Sequence, residues 1–216
     1  MPSFTCQSCG SEFELSPSVL SKYPNWTPKA CLKCRDKGSK PAAPRRKTKA
    51  SKGTIPGENL TTAEVLARFS GGPDTGVFTD GSCQGNPGRG GWGSVYTRAG
   101  EVVEQRNGAD PETTNNRMEF TAMIEGLLML PEDSTESIYT DSQLVVNTLT
   151  KWAAGWQKRG WKRKNGPVRN LELVKRACEL AQSHPDVTIS WIKAHDGSRW
   201  NEYADALATG YMRDEL

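Results

Sequence analysis

One feature limits the fold of this chain more than any other. After residue 75, three strand-like runs follow one another, and only then do helices and strands alternate. Residues 76–80 (GVFTD) read as a strand and the glycine-rich GSCQGNPGRGG after them as a turn. Residues 92–97 and 101–108 read as two more strands, joined by a tight Arg98-Ala99-Gly100 turn, so the three should form an antiparallel meander. A helix is expected from Thr114 to Leu130, stopped by Pro131. A strand at Ser137–Thr140, helices at Ser142–Leu149 and Val168–Ser183, a strand at Val187–Lys193 and a last helix over about 199–211 follow. This order implies an α/β domain, a mixed sheet with helices on its faces. A short helix over about 60–69, capped by Asn59, leads into it.

Four carboxylates in this domain stand out by position. Asp80 and Asp141 each end an apolar strand, and ligands of open α/β sheets bind outside the carboxyl ends of strands. Either one alone reads more readily as a turn or helix-cap residue. Glu119 is less ordinary. At about 100° per residue, Gly126, Leu130, Met123 and Ala122 lie within about 60° of it, so it sits in an apolar arc that should face the sheet. A buried carboxylate needs a cation or a metal, and no basic residue of that helix shares its face. Asp205 flanks the stripe Trp200, Ala204, Leu207 and Tyr211 on the last helix, and alone reads as a surface charge. Gathered at one sheet end, the four could not all stay ionised. Two unit charges about 4 Å apart repel by about 4 kcal/mol at an effective dielectric of about 20. Carboxylate oxygens select Mg²⁺ or Mn²⁺, and such clusters hold two ions for phosphoryl displacement in nucleases and polymerases.

The first 58 residues have another texture. They carry 11 Lys+Arg against 4 Asp+Glu, whereas residues 59–216 carry 17 against 21. Cys6-x2-Cys9 and Cys31-x2-Cys34 have the spacing of a tetrahedral thiolate site, so residues 1–36 are expected to form a zinc-ribbon-like module around one structural Zn²⁺. A disulfide framework is the alternative; Glu12 and Glu14, with no apolar run beside them, speak against a secretory signal and so against it. So short a module buries little core, and the metal would supply most of its stability. Residues 37–58 read as a basic flexible linker whose seven Lys+Arg suit a polyanion. Residues 59–74 are a lead-in, and residues 75–212 the main domain. No apolar run approaches a membrane span, and a cytoplasmic monomer is expected.

The stretches FTDGSCQGNPGRGGWG, TTNNRMEFTA, YTDSQLVV and WIKAHDGSRWNEYADALA closely resemble, in order and spacing, the four signature blocks of type 1 ribonuclease H. The resemblance covers about residues 75–211. It implies the ribonuclease H-like fold with a five-stranded mixed sheet. It also implies an endonuclease that cleaves the RNA strand of RNA/DNA hybrids with two Mg²⁺ (Mn²⁺ as the alternative), leaving 5′-phosphate and 3′-hydroxyl ends. Carried over by position, the metal-binding quartet is Asp80, Glu119, Asp141 and Asp205. Asp80 would bridge both ions, Asp205 serve the ion that activates water, and Glu119 and Asp141 the ion at the leaving group. His195 matches a loop histidine for proton handling or product release, although Asp196-Gly197-Ser198-Arg199-Trp200 departs from the small polar loop usual there.

The same resemblance assigns substrate contacts. Asn86, Asn115 and Asn116 correspond to amides on the hybrid's minor groove, where 2′-hydroxyls are displayed. Thr114 corresponds to a phosphate contact and could also cap its helix. Residues 151–166 resemble a basic protrusion, with Trp152, Trp156 and Trp161 among six cations that include Lys158, Arg159 and Lys162. Trp152 and Trp156, spaced i, i+4, could pin it to the body, while Trp161, amid charges, is expected to touch substrate. The block CQSCGSEF…PKACLKCR resembles bacterial zinc-ribbon modules, for which hybrid or duplex binding is the first reading and protein docking the second. A non-catalytic binder of the same fold is disfavoured by the intact quartet. A junction resolvase or transposase is disfavoured by the His195 loop and the protrusion.

Overall fold

The computed structural model describes residues 2–15, 17, 21, 27–31, 34, 59–163 and 166–213. The chain divides into two compact units, Met1–Lys52 and Gly53–Leu216. In the first, β1 (Ser3–Thr5) and β2 (Glu12–Glu14) form an antiparallel hairpin with Phe4 opposite Phe13. The linker expected over 37–58 lies outside the described residues.

The second unit opens with α1 (Thr62–Arg68). Its cap is Thr61, not Asn59: the Thr61 hydroxyl accepts from the Glu64 backbone, and the Glu64 carboxylate accepts from the Thr61 backbone. This reciprocal box satisfies two amide donors where Asn59 would satisfy one. Then come β3 (Gly76–Gly85), β4 (Gly88–Arg98) and β5 (Glu101–Thr113), the expected meander, though longer. The glycine-rich run read as a turn is mostly strand, and only Asn86 and Pro87 lie between the paired ends Gly85 and Gly88. Pro111 falls within β5, which tolerates it because β5 is an edge strand.

Helix α2 (Asn115–Met129), β6 (Ser137–Thr140), α3 (Gln143–Asn147), α4 (Ala153–Lys158), the short pair β7 (Lys162–Arg163) and β8 (Gly166–Pro167), α5 (Leu171–Ser183), β9 (Thr188–Trp191) and α6 (Arg199–Thr209) complete the unit. The helix expected to stop at Leu149 does not stop. A π-turn at Thr148–Trp152 carries α3 into α4, so half of the excursion is helical. No Gly or Pro interrupts the helix before Gly155, and the chain leaves it through Gly160 at φ +64°. Among the described residues no helix is long and apolar enough to cross a membrane.

The strand order is β5-β4-β3-β6-β9, with β6 parallel to both β3 and β9. Side chains alternate across the sheet. Val77 and Ile138 face one way, into a core shared with Met123, Leu127 and Val174 of α2 and α5. Phe78 and Val95 face the other, toward Val65 of α1 and Trp200 and Leu207 of α6. Two glycines set how close these layers come. A Cβ on Gly81 would lie 2.2 Å from the backbone nitrogen of Glu119, and one on Gly93 would lie 2.5 Å from the carbonyl of Ala204. Both helices therefore meet the sheet backbone to backbone.

Candidate active site

The sheet register puts the first two carboxylates side by side. Thr79 pairs with Thr140 across the parallel β3 and β6, so Asp80 and Asp141, one residue on in each strand, emerge at one carboxyl edge. Glu119 comes over Gly81 from the first turns of α2. Oxygens of Asp80, Glu119 and Asp141 lie within 4.8 Å of one another. A second triplet, His195, Glu202 and Asp205, meets the same criterion, and the Asp205 charge is among those that act on Asp80. Asp80 shares its sheet face with Phe78, the face on which α6, the helix of Asp205, packs.

The electrostatics follow from this crowding. Burial first, and then the charges of Asp141, Glu119 and Asp205, push the Asp80 carboxyl well above its ordinary range. Burial and Asp141 push Glu119 to about 8. Burial also raises Asp141, against the opposing pull of His195. Glu119 found no salt bridge: its Oε1 accepts from Asn115 Nδ2 at 3.1 Å, and its buried Oε2 has no hydrogen-bond partner. Trp191 Nε1 donates to the Asp141 backbone carbonyl at 3.0 Å, which fixes the loop behind that carboxylate.

A family profile described as RNase H matches residues 73–212, well over half of the chain. The chain belongs to the RNase H family. A ribonuclease H of Erythrobacter litoralis is 50% identical over 134 residues, which is 62% of this chain and 92% of that protein. One from Agrobacterium fabrum is 49% identical over 61% of this chain and 90% of its own. Among solved structures, that of LC9-RNase H1, a type 1 RNase H with the type 2 active-site motif, superposes with a TM-score of 0.52 at 36% identity, over 64% of this chain and 72% of that one. The PFV RNase H domain superposes at 0.54 with 25% identity, over 66% and 97%. The chain is thus a hydrolase, a ribonuclease H, and the five-stranded mixed sheet is that of the RNase H fold.

Glu202 is a member of this cluster that the sequence reading missed. It is nearly buried, and its Oε2 lies 3.3 Å from His195 Nδ1. The signal was present: Glu202 precedes Asp205 by three residues, one helical turn on the same face. His195 itself sits in the left-handed region at φ +47°. Burial lowers its basicity, but the Glu202 hydrogen bond and the Asp205 and Asp141 charges outweigh this and hold it above its ordinary value.

The expected substrate residues fall into two groups. Asn86 and Asn115 are together, the Asn115 backbone N–H donating to Asn86 Oδ1 at 3.3 Å, with exposed Asn116 next in the chain. Thr114 occupies the cap position of α2 without a side-chain cap bond. On the protrusion, Lys158, Arg159 and Lys162 are exposed. Trp152 is exposed and stacks obliquely on Trp156, 5.8 Å between centroids, while Trp156 packs on the core. Trp161 is more enclosed than expected. It packs against the α2–α5 core with Lys175 Nζ 5.7 Å above its ring, because the chain turns inward there at φ +62°.

In the first unit, the sulfurs of Cys6, Cys9, Cys31 and Cys34 lie within 4.8 Å of one another. All are free thiols; Cys9 and Cys31 sulfurs are 3.8 Å apart. The Cys31 backbone amide draws the Cys6 thiol down to about 6, while hydrogen bonds with Cys9 and Cys31 push Cys34 up to about 12.

Proposed function

We propose that this chain hydrolyses the RNA strand of RNA/DNA hybrids, with two Mg²⁺ ions held by Asp80, Glu119, Asp141 and Asp205. One observation carries the reading: Asp80, Glu119 and Asp141 crowd together at a sheet end, each driven toward protonation, with Glu119 Oε2 buried and unpartnered. A divalent pair fits that donor set and, when bound, supplies an activated water and stabilises the leaving 3′-oxygen. Asp80, placed between Asp205 and the Glu119–Asp141 pair, would touch both ions. His195, buttressed by Glu202, would hold and pass a proton at its exposed edge. Asn86, Asn115 and Asn116 would face the minor groove and read 2′-hydroxyls rather than bases. Thr114, Trp152, Trp156, Lys158, Arg159 and Lys162 would follow the backbone of the DNA strand, with sequence preference slight. The test is cleavage of matched hybrid, double-stranded RNA and double-stranded DNA, with and without Mg²⁺. Only the RNA of the hybrid should be cut, only with Mg²⁺, leaving 5′-phosphate and 3′-hydroxyl ends. Cleavage of all three duplexes, or a 2′,3′-cyclic phosphate end, overturns the proposal.

For the first unit we infer one structural Zn²⁺ on Cys6, Cys9, Cys31 and Cys34. Sulfurs about 2.3 Å from a tetrahedral centre lie about 3.8 Å apart, which agrees with the 3.8 Å between Cys9 and Cys31. With its basic linker, the module would serve as a second, tethered contact to hybrid or duplex.

A further inference from the structure

Residues 59–72 precede the part of the chain that matches the RNase H profile, yet they are built into the active-site half of the unit. They run along α6 in the opposite direction. At one end Arg213, just beyond α6, reaches both Asn59 Oδ1 and the Ala206 carbonyl. In the middle, Val65 is 1% exposed and packs with Trp200, Tyr203 and Leu207 of α6. At the other end the contacts move onto the loop that carries His195. Arg199 Nε donates to the Phe69 carbonyl at 2.7 Å, and the Arg199 backbone N–H donates to the Gly71 carbonyl at 2.8 Å. Gly71 also bridges Ser198, and Gly72, at φ +86°, leaves room for it: a Cβ there would lie 2.3 Å from Ser198 Oγ.

These anchors fall at a sensitive place. Lys193 to Asp196 are exposed, and His195 holds a left-handed conformation that a non-glycine residue keeps only where its surroundings enforce it. Among the described residues, the backbone-directed bonds that tie Ser198 and Arg199 to anything outside α6 run to Phe69 and Gly71. The first turn after these anchors carries Glu202, the partner of His195.

We propose that residues 59–72 are a strap that positions the His195 loop and the amino end of α6, with Arg199 as the positioning residue that fastens it. This rests on His195 acting in catalysis as proposed above. A loop with few buried contacts opens at little cost, so each fastening bond removed should be read directly in its exchange. Preorganisation of His195 against Glu202 should be lost with it.

The test uses the full chain. Arg199→Ala removes the bond to Phe69, and Arg199→Lys keeps the charge without the fixed Nε donor; Gly72→Ala pushes Ser198 away. Amide exchange is followed at 194–199 and, as reference, at Val77–Thr79 in the sheet. All three variants should speed loop exchange by about five- to tenfold and leave the sheet unchanged, as loss of one hydrogen bond predicts. Turnover at saturating hybrid should fall several-fold with KM little changed, and in a His195→Ala background the same substitutions should cost nothing further. If Gly72→Ala does not fold, the two Arg199 variants decide alone. Unchanged loop exchange, exchange rising equally in loop and sheet, or an undiminished loss of turnover in the His195→Ala background overturns the strap. If His195→Ala by itself leaves turnover unchanged, the catalytic reading of His195 fails, and loop exchange still decides whether the strap holds the loop.

Discussion

The carboxylate cluster and the cysteine cluster place ligands by opposite means. Asp80, Glu119, Asp141 and Asp205 are carried by strands and helices whose packing does not involve them: Val77, Phe78, Ile138 and Leu207 are 0–1% exposed around them. That core forces the charges together, at a cost visible in the raised proton affinities of Asp80, Glu119 and Asp141. Around Cys6, Cys9, Cys31 and Cys34 lies a hairpin of two three-residue strands, and among the described residues of that unit only Cys6, Pro28 and Cys31 are buried. In one region the fold makes the site; in the other the site must make the fold.

That contrast can be broken most decisively at Asp141. Asp141→Asn removes one charge and keeps the shape, so turnover should drop by about a thousandfold or more, as when a preorganised electrostatic group is lost. Hybrid affinity should stay within a few-fold. Near-normal turnover in saturating Mg²⁺ would mean that the four carboxylates are not the reacting centre.

The mirror experiment is Cys31→Ser, or zinc chelation. Residues 2–34 should lose their dispersed amide resonances, while hybrid cleavage at saturating substrate persists, because no carboxylate of the cluster lies before residue 75. A ribbon that keeps its spectrum without metal would end the contrast from the other side.

A gentler probe is pH in Mg²⁺-free buffer. Glu119 binds its proton more tightly folded, about 8, than at the ordinary 4.5, and Asp80 and Asp141 shift the same way. Stability from such groups is full below the unfolded value and is lost as pH rises through the folded one. The melting temperature of the RNase H unit should therefore decline between about pH 5 and pH 8 and recover on adding Mg²⁺. A flat profile would show that the cluster is not strained.

The smallest effect belongs to residues 1–58. Deleting them should weaken hybrid binding without stopping turnover. If a third to a half of the seven linker cations engage phosphates, the slope of log affinity against log salt should fall by about 2–3. An unchanged slope would favour protein docking.

The sequence made some of these residues legible and hid others for physical reasons. Asp80 and Asp141 were visible because each closes an apolar run, and Glu119 because helical periodicity set it among Met123, Gly126 and Leu130. Asp205 needed the family resemblance: one carboxylate at the flank of an amphipathic helix carries no local sign of what faces it. The glycine-rich run looked like a turn because glycine favours turns, whereas here the requirement came from the helices packed on it. The lead-in helix was foreseen, but not that it lies on α6, since a contact between residues 65 and 203 leaves no mark on local pattern.

Gly81 and Gly93 carry one more consequence. If the carboxylates take the Mg²⁺ proposed above, the backbone positions from which Glu119 and Asp205 reach toward Asp80 are set by helices packed closely on the sheet. Mg²⁺ asks for oxygens at about 2.0–2.1 Å and Ca²⁺ for about 2.3–2.6 Å. With the backbones held that close, only rotation of the carboxylates is left to meet the larger ion, so the choice between ions of equal charge becomes a matter of radius, constrained where two residues have no side chain at all.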